Sequence, residues 1–278
     1  MSRLEIFFLC LGIIVFLSFC VYLYGLIFEV YHTRIKRYKY QNGKMQKIKK
    51  PIDNAIKIVF FSDLHLGKCL HGKQLKNKLK KILKEDADIY LFGGDLIGYQ
   101  MDKYFKETEL ENLFRPFLNK PCFKIFGNHE FKKEKNINQE LKDCFFQALP
   151  FHLLANEKQT IECKQKQITI VGLHEGQYHT PQMPQLNQDE LNIVLVHQGD
   201  YFDQLEGADI VLSGHTHGGQ IRIPFCPPIY SPKYGKKYNK GLFKKDNRYL
   251  IVSKGIGCNM FKYRFCAPSD IIELFIES

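Results

Sequence analysis

The stretch IKIVFFSDLHLG, residues Ile56–Gly67, begins with an apolar run of β-branched and aromatic residues and ends in a polar turn. Such a run is typical of a buried β-strand. Asp63 and His65 follow at the point where the strand should end. A carboxylate and an imidazole at the end of a buried strand indicate either a simple turn or a binding site.

The same arrangement recurs in DIYLFGGDLIG, PCFKIFGNHE, LNIVLVHQGD and DIVLSGHTHGG, each an apolar strand followed by polar residues. The polar residues at the five strand ends are Asp63, His65, Asp95, Asn128, His129, His197, His215 and His217. Sites in open α/β sheets form outside the carboxyl ends of the strands, so we expect these side chains to lie in one region. One such residue alone is better explained as a turn, cap or structural histidine, but five strand ends with the same pattern favour a shared site.

The order of predicted elements indicates an α/β fold. Amphipathic helices are predicted in KQLKNKLKKILKEDAD, ETELENLFRPFLNK and NQELKDCFFQAL, and further strands in KQTIECKQKQITIVGL, RYLIVSKGIG and DIIELFIE. The second helix should bend or stop at Pro116. It could cap the site, but packing in the core is the preferred interpretation. The alternation of strand and helix, followed by a strand-rich part, predicts an α/β sandwich with sheets inside and helices outside.

The N-terminus carries a candidate membrane segment. Ile6–Phe28 contains no charged residue and is long enough to cross the bilayer as a helix. It lacks the basic start and the small-residue cleavage site of a signal peptide, so an uncleaved anchor over residues 1–30 is predicted. Residues 31–55 are predicted to be a basic juxtamembrane linker. Because the basic side stays cytoplasmic, we expect a single-pass protein of the inner (cytoplasmic) membrane whose C-terminal part, residues 56–278, faces the cytosol.

Charge and cysteine usage narrow the partners and the compartment. The formal net charge of +11 favours anionic partners: phospholipid head groups, nucleic acid or phosphorylated substrates. The nine cysteines have no zinc-ribbon spacing, and several lie in apolar runs. They are interpreted as free thiols in a reducing compartment rather than as disulfides.

The polar residue types at the five strand ends suit a metal site. Carboxylate and amide oxygens together with neutral imidazoles bind Mn, Fe or Zn, and no thiolate is required. Seven ligands with one shared carboxylate can hold two divalent ions. Such a pair of ions polarises a phosphoryl group and activates water.

The ordered motifs DLH, GGDLIG, GNHE, VH and GHTHGGQ resemble those of the calcineurin-like metallophosphoesterases, over roughly Lys57 to the C-terminus. The segment from GHTHGGQIRIP to KGIGCNMFKYRF is similar to the membrane-anchored bacterial phosphodiesterase branch, some of whose members cleave lipid-linked nucleotides such as UDP-2,3-diacylglucosamine. The resemblance implies a four-layer α/β/β/α sandwich and a metallophosphoesterase catalytic domain over residues 56–278.

The resemblance also implies a role for each site residue. Asp63, His65 and His217 would bind one metal. Asn128, His197 and His215 would bind the other, and Asp95 would bridge the two. His129 would be the catalytic group, a general acid that contacts the phosphate or protonates the leaving oxygen. Two Mn ions are expected first, with Fe or Zn as alternatives, and a metal-activated hydroxide would attack phosphorus in line.

A basic, aromatic segment over residues 231–248, SPKYGKKYNKGLFKKDNR, follows the last motif. Lys233, Lys236 and Lys237 are predicted to bind substrate phosphates, with a solvated basic loop as the alternative. Single-stranded nucleic acid also suits such a composition, but a membrane anchor disfavours it, so neither nucleic acid nor a protein partner is expected. His174 either faces the site or is structural, and His71 is interpreted as a loop residue.

Three functions remain open from the sequence. The leading one is a membrane-anchored, metal-dependent phosphoesterase that cleaves a phosphodiester or pyrophosphate bond in a lipid or nucleotide-lipid, such as UDP-2,3-diacylglucosamine. The second is a generic phosphodiesterase or phosphatase that acts on soluble substrates. The third is a non-catalytic scaffold of the same fold, which the presence of every expected ligand and of His129 disfavours.

Overall fold

The computed structural model of the chain describes residues 1–133 and 137–277. Within these residues the chain forms thirteen β-strands and four α-helices. The strands are β1 (Thr33–Gln41), β2 (Lys44–Ile48), β3 (Ile56–Phe61), β4 (Ile89–Phe92), β5 (Cys122–Lys124), β6 (His152–Leu153), β7 (Glu157–Cys163), β8 (Lys166–Gly172), β9 (Leu191–Leu195), β10 (Ile210–Ser213), β11 (Gly241–Lys245), β12 (Arg248–Val252) and β13 (Ser269–Ile276). The helices are α1 (Arg3–Leu23), α2 (Gly72–Lys84), α3 (Glu107–Phe114) and α4 (Gln139–Gln147).

The strands form two sheets. The first has the order β2-β1-β13-β3-β4-β5-β6 and the second the order β11-β12-β10-β9-β8-β7. In the first sheet β3, β4 and β5 are parallel, and in the second β8, β9, β10 and β12 are parallel. The predicted α/β sandwich with two central sheets is therefore confirmed.

Apolar side chains from the two inner faces form the middle of the sandwich. Ile58 and Leu91 of the first sheet lie in the same buried cluster as Ile193 and Leu212 of the second. Fully buried aliphatic side chains of this size each stabilise the fold by about 1.5–3 kcal/mol relative to exposure. This shared core holds the two sheets, and so the strand ends of both, in one rigid unit.

The two outer faces are covered differently. Helices α2, α3 and α4 cover the outer face of the first sheet, where Leu75, Phe114 and Phe146 are buried. The outer face of the second sheet is covered by the 3₁₀-helix Gly199–Gln204 and by connecting loops, so this layer is thinner than the α-helical layer that the family resemblance implies.

The helix predicted to bend at Pro116 ends at Phe114 and continues as a 3₁₀-helix over Arg115–Asn119. Proline has no N–H to donate to the α-helical ladder, which explains the change. Phe114 and Phe117 are fully buried and stack near Phe61 and Phe151. The preferred interpretation of this segment as core packing, rather than a cap over the site, is confirmed.

The stretch expected to be a basic linker, residues 31–55, is not a linker. It contains β1 and β2, and β1 pairs in parallel with β13 at the other end of the chain. Its basic side chains meet buried acids on β13: Lys36 Nζ lies 2.7 Å from Asp270 Oδ2, and Arg37 pairs with Glu273. The prediction failed because these charges are compensated by residues more than two hundred positions away.

The N-terminal helix extends over Arg3–Glu29 when its last, π-helical turn is included. It is long and apolar enough to cross a membrane, and the residues of its most apolar window are not buried in the protein. All nine cysteines are free, as predicted.

Candidate metal centre

The eight polar residues predicted from the strand ends lie together in a cleft between the two sheets. Those that follow β3, β4 and β5 come from the first sheet, and those that follow β9 and β10 come from the second. All eight are buried: Asp63, His65, Asp95, Asn128, His129, His197, His215 and His217. The fold therefore brings these residues together at the carboxyl ends of the strands.

One group of donor atoms forms around His65. Its Nε2 atom lies 2.9 Å from Nε2 of His217, and Asp63 Oδ1 lies 3.6 Å from the same His217 nitrogen. The ligand atoms of these three residues are all within 4.8 Å of one another. Two imidazole nitrogens and a carboxylate oxygen at these separations could hold one divalent ion.

A second group forms around Asp95 and His197. Asp95 Oδ2 is 3.2 Å from His197 Nε2 and 3.5 Å from His65 Nε2, so this carboxylate lies between the two groups. His215 completes the second group. The buried Asn128 Oδ1 has no hydrogen-bond partner in the part of the chain that the structure describes. A buried acceptor without a partner costs free energy, which a metal ion at this position would recover.

Backbone carbonyls orient three of the imidazoles. Nδ1 of His65 and of His197 lies 3.3 Å and 2.7 Å from the carbonyl oxygens of Ile97 and Gly93, and His215 Nε2 lies 2.7 Å from that of Lys233. A carbonyl oxygen only accepts, so the ring nitrogen that faces it carries the proton. The opposite nitrogen of each ring is thereby directed at the centre, as in histidine metal ligands.

The electrostatics of the cleft suit metal binding. Burial lowers the pKa of His65 and of His215 to about 3, so both rings are neutral at neutral pH. Burial raises the pKa of Asp63 to about 6. Burial also acts to raise the pKa of Asp95, but the neighbouring imidazoles, His197 first, outweigh it and hold that pKa well below its usual range.

His197 itself is different. Burial lowers its pKa, but the carboxylates of Asp95 and Asp63 outweigh burial and raise it to about 10. A metal ion binds a histidine only through an unprotonated nitrogen. Metal binding at His197 is therefore expected to release a proton.

Backbone strain is concentrated in the same place. Five of the site residues adopt a positive φ between 43° and 72°: Asp63, His65, Asp95, His215 and His217. Left-handed backbone costs free energy for residues with a Cβ and is found preferentially at functional sites. The neighbouring glycines allow the loops to approach: a Cβ on Gly127 would lie 2.3 Å from Asp95 Oδ1, and one on Gly214 would lie 2.3 Å from Asp63 Oδ2.

Glu130 is a supporting residue that the sequence reasoning missed. Its buried carboxylate accepts hydrogen bonds from the backbone N–H groups of Asp95, Leu96, Ile97 and Gly127, at 2.6–3.2 Å. It thus joins the loop that carries Asp95 to the loop that carries Asn128. Its place in the GNHE motif was visible, but the partners that give it a role lie far away in the sequence.

Arg264 was also missed. Its side chain is fully buried, donates to the carbonyl oxygens of Gly257 and Ala267, and places Nη2 3.1 Å from His217 Nδ1. It is therefore the residue that supports the outer side of the His217 ring. No pattern in the surrounding sequence indicates a buried guanidinium.

His129 lies close to His65 and Asp95, with which it forms a third group of candidate donors, and it faces the cavity. Its backbone N–H donates to Asp95 Oδ1 at 2.8 Å, and its ring meets that of His65 edge to face, with 4.5 Å between centroids. It lines a cavity of about 380 Å³ that opens from the centre. Asp95, Asn128, His215 and His217 line the same cavity.

The rest of the cavity lining is mostly apolar, with Lys132, Gln177, Gln220, Lys233 and Asn259 among its polar members. Its apolar side chains include Ile221, Ile229, Tyr230, Met260 and Phe261. The site therefore combines a buried polar floor, formed by the eight strand-end residues, with a mostly apolar mouth.

Of the three lysines predicted to bind substrate, one lies at the cavity and two do not. Lys233 lines the cavity, whereas Lys236 and Lys237 are not among the residues that line it. Instead, the backbone N–H groups of Lys236 and Lys237 donate to the carboxylate of Asp200, and Lys237 Nζ pairs with Asp203. Part of the basic segment, Gly241–Lys245, forms the edge strand β11.

His174 and His71 lie outside the ligand groups. The His174 ring stacks on Phe126 and on His179, with centroids 5.6 Å and 4.7 Å apart, which favours its structural interpretation. His71 precedes α2, where its Nδ1 lies 2.8 Å from the Gly67 carbonyl oxygen and its ring stacks on Tyr104.

Comparison with known proteins agrees with this geometry. The sequence model described as Calcineurin-like phosphoesterase matches residues 56–219. The uncharacterized metallophosphoesterase YkuE of Bacillus subtilis (strain 168) is 31% identical over 236 residues, which cover 81% of this chain and 80% of YkuE. Phosphodiesterase YaeI of Escherichia coli (strain K12) is 30% identical over 217 residues, 74% of this chain and 77% of YaeI.

A third relative, UDP-2,3-diacylglucosamine pyrophosphatase LpxG of Chlamydia trachomatis (serovar D), is 28% identical over 280 residues, 78% of this chain and 82% of LpxG. The match to the family covers more than half of the chain and includes all eight buried polar residues of the cleft. The chain belongs to the calcineurin-like phosphoesterase family and is a metal-dependent phosphoester hydrolase.

Proposed function

We propose that this chain is a membrane-anchored phosphohydrolase that holds two divalent metal ions and cleaves a phosphodiester or pyrophosphate bond in a lipid or nucleotide-lipid. The observation that carries the proposal is the position of Asp95, whose carboxylate lies between two groups of buried donors. One shared carboxylate is what a pair of ions at a single centre requires.

The ligand assignment follows from these groups. Asp63, His65 and His217 would hold one ion, and Asn128, His197 and His215 the other, with Asp95 shared. When bound, the two ions would polarise the phosphoryl group and lower the pKa of a water molecule between them. Manganese is the first choice, and the donor set accepts iron or zinc as well.

His129 would supply the proton that the leaving oxygen needs. Its ring borders both the donor groups and the cavity, and the Asp95 carboxylate fixes its backbone. A general acid in this position contributes about 10²–10⁴-fold to the rate. Lys233, at the cavity wall, would contact the substrate phosphate.

A lipid-linked substrate is supported by the apolar mouth of the cavity and by the N-terminal helix. An acyl chain needs an apolar surface, and a tethered enzyme meets membrane lipids more often than soluble molecules. The relative LpxG is named for a substrate of this kind, so UDP-2,3-diacylglucosamine is the substrate that we propose to test first.

We also propose a location. The basic residues that follow the helix, now seen to lie in β1 and β2, favour the inner membrane with the folded part in the cytosol. No nucleic-acid partner or protein partner is proposed.

A phosphodiesterase for soluble substrates is the second candidate. The relative YaeI is named a phosphodiesterase, and the polar floor of the cavity is the same for both candidates. Under this alternative the helix would determine only the location of the enzyme.

The test compares two substrates on the full-length chain in detergent with Mn²⁺. UMP release from UDP-2,3-diacylglucosamine is measured beside cleavage of bis-p-nitrophenyl phosphate, for the natural sequence and for Asp95→Ala and His129→Ala. The proposal predicts UMP release that both substitutions abolish. Cleavage of the artificial diester alone would support the second candidate, and no metal-dependent cleavage of either substrate would contradict both.

A further inference from the structure

An exposed apolar rim surrounds one side of the cavity mouth. It consists of Ile229, Tyr230, Met260 and Phe261, which also line the cavity, and of the exposed Ile223 and Phe225 in the loop between Ile221 and Ile229. Phe225 is fully exposed, and Met260 is 76% exposed. Scattered apolar residues on a surface need no explanation, but a contiguous group at the mouth of a site marks an interaction surface.

The rim continues into the cavity. Ile229, Tyr230, Met260 and Phe261 belong both to the exposed rim and to the cavity wall. An apolar path therefore leads from the outside of the molecule to the region beside His129.

The rim also continues into the base of the N-terminal helix. Within the chain segment that follows Met260 and Phe261, Tyr263 stacks on Tyr22 of the helix, with 5.8 Å between centroids. Phe265 meets Tyr24 edge to face and also pairs through its backbone with Ile221, at the start of the other rim loop. One short segment thus connects both rim loops to the membrane-spanning candidate.

The base of the helix is held firmly at this segment. The buried carboxylate of Glu29 accepts hydrogen bonds from the backbone N–H groups of Cys266 and Ala267, at 2.9 Å and 2.5 Å. A Cβ on Gly25 would lie 2.5 Å from the ring of Tyr263, so the helix approaches as closely as a glycine permits. The rim cannot turn away from the helix without the loss of these contacts.

The topology puts the helix at the same edge as the catalytic centre. β1 is parallel to β13, and β13 is antiparallel to β3. The start of β1 at Thr33 therefore lies at the edge where β3 ends at Phe61, just before Asp63. A bilayer crossed by the helix would extend along this edge.

Local chemistry at the rim matches a membrane interface. Phe225 and Met260 have positive φ values of 65° and 57°, and in this strained conformation their apolar side chains point away from the protein core. Close to the helix base, Lys262 Nζ donates to Tyr31 Oη at 3.1 Å. Tyrosine and lysine at the end of an apolar helix are typical of the boundary between acyl chains and head groups.

We infer that the rim inserts into the leaflet that surrounds the base of the N-terminal helix and opens the cavity to the acyl region of the bilayer. A lipid-linked phosphate ester would then enter sideways from the leaflet, with its acyl part along the rim and its phosphate at the metal centre. The inference rests on the membrane span and the lipid-linked substrate in the proposed function and adds the contact of the rim with the leaflet and the route of entry.

The chain contains no tryptophan, so a single introduced tryptophan reports the depth of its own position. Phe225→Trp and Met260→Trp test the two rim loops. Leu118→Trp is the matched control, because this exposed apolar residue precedes β5, at the end of that strand remote from the centre. Each full-length variant is placed in nanodiscs of phosphatidylethanolamine and phosphatidylglycerol, with or without bromine on the acyl chains, after circular dichroism has shown an unchanged fold.

We expect emission at shorter wavelength and quenching by brominated lipid for both rim positions, at a depth of about 5–10 Å below the head groups, and neither effect at position 118. Rim positions that emit and quench like the control would overturn the inference. Short-wavelength emission without quenching would also overturn it, since a second copy of the chain would then cover the rim. The measurement needs no turnover, so its outcome is independent of whether UDP-2,3-diacylglucosamine is cleaved.

Discussion

The floor and the rim of the cavity differ in burial and in the contacts that their side chains make. Each floor residue is buried, and most make a contact that fixes their orientation, such as the Gly93 carbonyl for His197 or the backbone of His215 for Asp63. The rim residues Phe225 and Met260 are exposed and point away from the core. The floor is oriented by contacts from within the chain, whereas the rim side chains are left open to the surroundings of the protein.

The difference separates the chemistry from the choice of substrate. The two groups of donors in the floor are suited to metal ions, and metal ions act on the phosphoryl group that many esters share. Selection among those esters then depends on what the mouth can bind. Changes in the floor and in the residues that support it are expected to alter metal binding and rate for every substrate, and changes at the rim are expected to leave the chemistry intact.

The largest effect is expected for Asp95→Ala. Loss of the carboxylate between the two donor groups would remove the ligand that we propose both metals share, so we expect at least about a 10³-fold loss of rate, several kcal/mol of transition-state stabilisation. The rate of bis-p-nitrophenyl phosphate cleavage with Mn²⁺ measures it. Asp53→Ala, an exposed carboxylate, is the control and should retain the natural rate.

A somewhat smaller effect is expected for Glu130→Gln. An amide nitrogen in place of one oxygen would face backbone N–H groups of Asp95 or Leu96, which are donors themselves. Supporting residues of this kind change metal affinity by about 10–100-fold, so we expect weaker Mn²⁺ binding by equilibrium dialysis in a chain that still folds. The exposed Glu109→Gln is the control, and equal affinity in both variants would show that Glu130 does not position the floor.

Arg264→Lys tests the connection between floor and rim. Lysine keeps the charge but loses the fork that reaches Gly257, Ala267 and His217 together. We expect about a tenfold loss of Mn²⁺ affinity, with Arg264→Met more severe. A lysine variant that is less stable but binds Mn²⁺ as before would make Arg264 a purely structural residue.

The smallest effect on activity is expected for Lys78→Met, outside the floor. Burial, with a smaller contribution from Arg264, lowers the pKa of Lys78 to about 7. Its Nζ donates to the hydroxyls of Thr33 and Ser269. Between pH 7 and the unfolded pKa of 10.5 the unfolded chain binds more protons, so the free energy of unfolding should rise with pH. The methionine variant should lose part of this rise, on the order of a few kcal/mol.

Thermal unfolding of the full-length chain in detergent, followed by circular dichroism from pH 6.5 to 10, measures this slope. Lys80→Met, an exposed lysine on the same helix, is the control and should keep the natural slope. The same slope in Lys78→Met would mean that Lys78 does not lose its proton on folding.

Much of the floor could be predicted because each ligand directly follows an apolar strand, as Asp63 follows β3 and His215 follows β10. The pattern is local, and parallel strands bring their carboxyl ends to one edge. Strand β1 was missed because its charges are compensated by β13, and Glu130 and Arg264 because their partners are backbone groups distant in sequence. Contacts of this kind exist only after the chain has folded.

The central claim is that the floor holds two metal ions through one shared carboxylate. Equilibrium dialysis of the metal-free full-length chain against Mn²⁺, with the bound metal counted by mass spectrometry, tests it most directly. We predict about two ions per chain for the natural sequence and a clear loss for Asp95→Ala. A single ion per chain, with the same number in Asp95→Ala, would contradict the account.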